Sequence, residues 1–197
     1  NAVFWLNPNQ QGISVGTQAG EWLVKATEQN GVLTPLNMQA HRVTTIGCAN
    51  VEPRLTDNTL ILVQTFKHQV VEYFADVFSG KFAAPDLSSL AAHLSSRGIE
   101  EITYQQGLLK TIWCRCTDGS LIGAVYKRES LMQSQGPTFV GWHRHTLGSG
   151  RTIESMCSGP SPATASLAAG VLDTLCVVTN DSSNIRHVEF LTNPLLE

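Results

Sequence analysis

The chain has 197 residues, 42% of them hydrophobic, a net charge of −3 and a pI near 6.1. These values suit an ordinary globular protein and argue against a disordered, fibrous or collagen-like chain. They also argue against a large basic surface for tight phosphate binding, which needs clustered Lys and Arg.

At the start, Asn1-Ala-Val-Phe-Trp-Leu-Asn-Pro8 lacks the basic opening and long apolar core of a signal peptide. No apolar run approaches the roughly 18 residues needed to cross a bilayer. The sequence begins without an initiator Met, as expected of a piece of a longer chain. Gly12-Ile-Ser-Val15 then leads through Gln18-Ala-Gly20 to Trp22-Leu-Val24, a hairpin signature.

A second hairpin is expected from Thr56 to Val63, through Lys67-His-Gln69, to Val70–Phe74. Between strands, Asp86 to Gly98 breaks the pattern. Leu87, Leu90, Ala91 and Leu94 fall on one helical stripe, Pro85 and Asp86 supply a start, and Gly98 supplies a stop. One short inserted helix is expected over about 86–97.

The clearest block is Ile99 to Leu147, which reads as four short strands. Within it, Thr111–Thr117 and Ser120–Tyr126 flank Asp118-Gly119, a pair that suits a two-residue hairpin turn. Ile112, Cys114 and Cys116 share one side of the first strand and Trp113 and Arg115 the other, with one face turned inward. Met132–Pro137 and the small-residue stretch 158–170 are expected to be loops, the second of them mobile. A last hairpin runs from Leu172–Val178 through Asn180–Asn184 to Ile185–Leu191.

The hairpins recur. Taking Leu60, Ile112 and Leu175 as equivalent, the separations are about 52 and about 63 residues, the longer spanning an insertion. A meander of about four strands over about 50 residues is the size of one propeller blade. The expected fold is therefore all-β, a single β-propeller-like domain over 1–197, or a fragment of one, with about four four-stranded blades.

Reactive motifs are sparse. Gly12-Ile-Ser-Val-Gly16 matches the G-x-S-x-G nucleophile elbow, but a turn and a strand follow it where that motif needs a helix. His143 and His145 in Trp142-His-Arg-His145 lie on one strand face, yet two ligands are short of a zinc site. His41, His68, His93 and His187 show no ligand spacing. Asp173 and Glu189 lack a paired carboxylate, and no phosphate-binding or dinucleotide fingerprint occurs. No enzyme activity and no cofactor are expected. Trp142, His143, Arg144 and His145 are taken instead as a candidate subunit contact near a blade edge. The four tryptophans, Trp5, Trp22, Trp113 and Trp142, each suit packing between blades. The five cysteines read as reduced and mostly buried, which places assembly in a reducing compartment.

A family resemblance rests on motifs in sequence. They are Gly20-Glu-Trp-Leu-Val24, Leu33-Thr-Pro35 to Gln39-Ala-His-Arg42, Gly47-Cys48 to Val51-Glu-Pro53, and Pro85-Asp-Leu87 to Leu90–Leu94. Tyr104-Gln-Gln106, Ile112-Trp-Cys114, Asp118-Gly-Ser-Leu121 and Gly141-Trp-His-Arg-His145 complete the series. Their order and spacing, from roughly Gly12 to Leu191, resemble the β-propeller region of bacteriophage tail nozzle proteins, also called tail tubular protein B. Residues 161–170 depart from that pattern, since a compact turn would stand there.

The resemblance implies a structural virion component at the distal end of a short tail, assembled in the host bacterial cytoplasm. It further implies a homohexameric ring below an adaptor protein, with tail fibres or spikes as further partners. DNA would pass through the channel without sequence-specific binding. The alternative is a host-recognition or carbohydrate-binding propeller that uses exposed Trp side chains.

Overall fold

The structure is a computed structural model and describes residues 2–9, 11–28, 31–57, 59–76, 80–107, 109–128, 139–160 and 173–191. Its contacts group the chain into two compact units, Asn1–Ser89 and Leu90–Glu197. Each holds two antiparallel sheets, and in every sheet the strands lie side by side in chain order.

In the first unit, β1 (Val3–Asn9), β2 (Gly12–Thr17), β3 (Gly20–Ala26) and β4 (Met38–Arg42) form one meander. The second sheet comprises β5 (Arg54–Thr56), β6 (Thr59–Val63), β7 (Val70–Ala75) and β8 (Phe82–Ala83). Every residue of β6 is buried, so its aliphatic run Leu60-Ile-Leu-Val63 packs on both faces. Trp5, Cys48, Leu60, Leu62, Val71 and Tyr73 make one apolar cluster, joined by Val43, Ile46 and Phe82.

In the second unit, a short helix precedes β9 (Ile99–Gln105), β10 (Thr111–Cys116), β11 (Leu121–Lys127) and β12 (Phe139–His145). The last sheet has three strands, β13 (Thr152–Pro160), β14 (Asp173–Asn180) and β15 (Arg186–Leu191). Trp113 and Leu121 of one sheet meet Ile153, Met156, Leu175 and Val177 of the other.

The expected all-β class, with about four small meander sheets, is what the chain shows. Leu60, Ile112 and Leu175 fall on β6, β10 and β14, the second strand of their respective sheets. All four hairpin signatures mark the second and third strands of a sheet; in the three four-stranded sheets those strands have neighbours on both sides, whereas β15 is an edge strand without a buried residue.

Four local expectations are corrected. The helix α1 covers only Ala92–Ser95, after a 3₁₀ turn at Ser89–Ala91. The stretch at 85–88 pairs with β7 instead: Leu87 N donates to Val70 O at 2.9 Å and Glu72 N to Pro85 O at 3.0 Å. β7 needed partners along its outer edge, and this segment satisfies them. Asp86 Oδ1 accepts from Ser88 N and Ser88 Oγ, both at 2.7 Å, forming a local turn in place of a helix cap. Leu87 and Ala91 are buried, whereas Leu90 is 95% exposed. Gly98, at φ +80°, does end the helical stretch.

The hairpin at Asp118-Gly119 has a three-residue loop, not two. Cys116 N donates to Ser120 O and Gly119 N to Cys116 O, each at 2.9 Å, and only Gly119 of the pair is left-handed, at φ +75°. This is a type I turn followed by a left-handed residue. The β14–β15 hairpin repeats it: Asp181 N donates to Ile185 O, Asn184 N to Asp181 O, and Asn184 takes the left-handed position at φ +59°.

In the stretch expected to be a loop at 158–170, Ser158, Gly159 and Pro160 end β13, paired with Leu175, Thr174 and Asp173. The remainder, like Met132–Pro137, lies outside the described residues. Both faces of β10, not one, are buried, including Ile112, Trp113, Cys114 and Cys116.

Candidate functional site

β12 ends the strand order of its sheet and pairs with β11 along its whole length. Period-two alternation puts His143 and His145 on one face and Trp142 and Arg144 on the other. Arg144 is exposed, while Trp142, His143 and His145 are half-buried.

The register aligns Trp113, Gly123 and His143 across three adjacent strands. Gly123 leaves a gap that the flanking rings fill. A methyl group there would lie 2.8 Å from the Trp113 ring and still closer to the His143 imidazole. Trp113 meets both histidines edge-on, with ring centroids 5.5 Å from His143 and 4.9 Å from His145.

His143 Nδ1 and His145 Nε2 are 2.7 Å apart, a hydrogen bond in which one ring donates and the other accepts. The accepting nitrogen must be bare, so one imidazole is neutral. Burial lowers the pKa of both histidines, and each proton on His145 lowers that of His143 further. The pair is therefore built to stay largely uncharged near neutral pH. Among the described residues, no three His, Cys, Asp or Glu side chains converge to hold a metal ion.

Beneath this surface, Trp113 Nε1 donates to Gln105 Oε1 at 2.7 Å, and Gln105 Nε2 donates to Asp173 O at 2.7 Å. Glu101, Thr103 and Gln105 alternate along β9 and form a polar seam to the last sheet. Met156 N donates to Glu101 Oε2 at 3.2 Å, and Thr103 Oγ1 and Ser158 Oγ are 2.9 Å apart. Arg115 closes on the same Glu101 carboxylate at 3.1 Å. Sequence reasoning missed this seam. Its signal was the polar alternation between Ile102 and Tyr104, which resembles a solvated strand face until a second sheet covers it.

The remaining candidates are dispersed. Gly12–Gly16 lies wholly inside β2, with no turn into a helix, and Ser14 is buried with its hydroxyl accepting from Asn9 Nδ2 at 2.6 Å. Asp173 begins β14 and its carboxylate accepts from Gln106 N, while Glu189 pairs with Arg151. Trp5 and Trp113 are core residues of their units, and Trp22 and Trp142 are half-buried.

The buried Glu21 was also missed. Its carboxylate accepts from the Thr44 hydroxyl, and burial pushes its pKa up against those hydrogen bonds. Nearby, burial and the Glu21 charge push the Cys48 thiol and the Tyr73 phenol up to about 12 each.

Compared with known proteins, the chain matches no family model and no curated protein sequence.

Proposed function

We propose that this chain is a structural component of a phage tail, of the nozzle or tail tubular kind, and forms part of the conduit through which DNA leaves the particle. The observation that carries the reading is the coincidence of the resembling motifs with the repeated architecture. Gly20–Val24 lies in β3, Gln39–Arg42 in β4, Ile112–Cys114 in β10 and Gly141–His145 in β12. The order of those motifs thus follows the order of the meanders.

Small sheets whose strands are paired internally suit a mechanical part, whose value lies in rigidity. The net charge of −3 supports passage of DNA without retention, because a conduit should not hold phosphates tightly. In this reading the protein works as a homohexameric ring, with an adaptor above and fibres or spikes beside it. The β12 surface at Trp142, His143, Arg144 and His145 serves as a subunit contact.

Gold-labelled antibodies against the chain test the placement directly. Labelling at the tip of a short phage tail is the expected result. Particles that remain unlabelled while the purified chain binds cell-surface glycans would overturn it in favour of the recognition module.

A further inference from the structure

All five cysteines are free, and two of them face each other across a strand pair. Cys157 on β13 and Cys176 on β14 are directly opposed in the antiparallel register. Opposed residues in such a pair hold their Cα atoms about 4.5 to 5.5 Å apart, inside the window of about 4.4 to 6.8 Å that a disulfide spans. Their side chains also leave the sheet on one face.

The two side chains are near enough for Cys157 to help push the pKa of Cys176 up, after burial. Met156, Leu175 and Val177, their neighbours on the same strands, point into the core, so the pair sits on the opposite, outward face. Phe190 of β15, 49% exposed, is the next residue across that row. Cys157 is exposed and Cys176 half-buried.

The other cysteines lack this arrangement. Cys114 and Cys116 stand two apart on one strand, roughly 6.6 Å from each other with parallel side chains, and are fully buried. Cys48 belongs to the core of the other unit.

We propose that Cys157 and Cys176 form a redox-responsive dithiol, open in reducing surroundings and closed into a cross-strand disulfide by exchange with a low-molecular-weight disulfide. The Cys157 thiolate attacks the external disulfide, making a mixed disulfide and expelling one thiol. Cys176 gives its proton to solvent and attacks the Cys157 sulfur, expelling the second. Two protein thiols and one external disulfide thus become one protein disulfide and two small thiols, and two electrons pass to the reagent. Exposure makes Cys157 the first nucleophile. Burial and the adjacent Cys157 raise the pKa of Cys176, which suits it to the second, intramolecular step.

The bond would staple β13 to β14, the two strands that carry Ile153, Met156, Leu175 and Val177 into the core. It stands apart from the functional reading above. Joined to it, the clamp would open during assembly inside a cell and close after release.

The test treats the full chain with oxidised glutathione, removes the reagent, alkylates in denaturant with iodoacetamide and digests with trypsin. Cleavage after Arg151 and Arg186 leaves both cysteines in the single peptide 152–186. The expected result is that this peptide loses the mass of two hydrogen atoms and takes no alkyl group, while peptides carrying Cys48, Cys114 and Cys116 are alkylated. Dithiothreitol should restore two alkylation sites. Cys176→Ser should stop at a glutathione adduct on Cys157, and circular dichroism of the variant checks that the sheet is intact. A wild-type peptide that carries glutathione or two alkyl groups after oxidation would overturn the proposal.

Discussion

Trp113 on β10 lies across Gly123 on β11, and the space that glycine leaves is shared with the His143 ring of β12. Trp5 and Gly16 repeat the relationship in the other unit, opposed on β1 and β2 with the indole against the glycine. In each case a large ring covers the opposed position that carries no side chain, so the ring fills the space a side chain would take.

Gly123→Ala should therefore destabilise the chain by about 1 to 3 kcal/mol, the usual cost of forcing a methyl group into a packed core. Chemical denaturation measures it. Near-ultraviolet circular dichroism should also weaken, because the Trp113 ring must tilt. A substitution without effect on either signal would show that the ring is not seated there.

The two matched hairpin turns make a paired prediction. Gly119→Ala puts a side chain at φ +75° and 2.6 Å from Thr152 Cβ, so its cost should exceed the ~1 to 2 kcal/mol of left-handed strain alone. Asn184→Gly, at the equivalent position, should leave stability within about 0.5 kcal/mol of wild type, since glycine accepts φ +59° without strain. Denaturation midpoints of the two variants decide the point.

That turn shows where the sequence was informative and where it was not. Apolar runs flanked by turn residues revealed the second and third strands of all four sheets, because most of those strands carry buried side chains; β15, an edge strand, was legible from its turn and alternation alone. Asp118-Gly119 located the hairpin, but its loop length depended on register: Arg115 pairs with Leu121, which leaves three residues between Cys116 and Ser120. The helix was overestimated for a related reason. Leu87 had helical spacing, yet the open edge of β7 offered its backbone a better partner.

Lowering the pH should weaken the β12 surface. The folded state holds His143 and His145 below the ordinary histidine range, so the unfolded chain binds protons more readily. Their contribution to stability is fully present above the unfolded pKa, ~6.5, and is lost as the pH falls below it. Melting temperature measured from pH 8 down to pH 5 should fall, and His143→Asn should flatten that part of the profile. An unchanged slope in the variant would remove these histidines as the cause.

Glu21 should act in the opposite sense. Burial raises its folded pKa, so the folded chain binds the proton more tightly and the group favours folding more as the pH falls through that pKa. At pH 7 to 8 the buried charge is a cost, and Glu21→Gln should raise the melting temperature there while matching wild type near pH 4. A variant less stable at both pH values would mean that the carboxylate's hydrogen bonds outweigh its burial.

In the proposed function these small sheets are repeating parts of a stiff ring in a phage tail. Cryo-electron microscopy of an intact short-tailed particle that encodes this chain tests it most directly. The account predicts density for the meander sheets around a central channel at the tail tip, with β12 against a neighbouring copy. A map that places the chain outside the tail, or as a monomer with β12 facing open solvent, would contradict it.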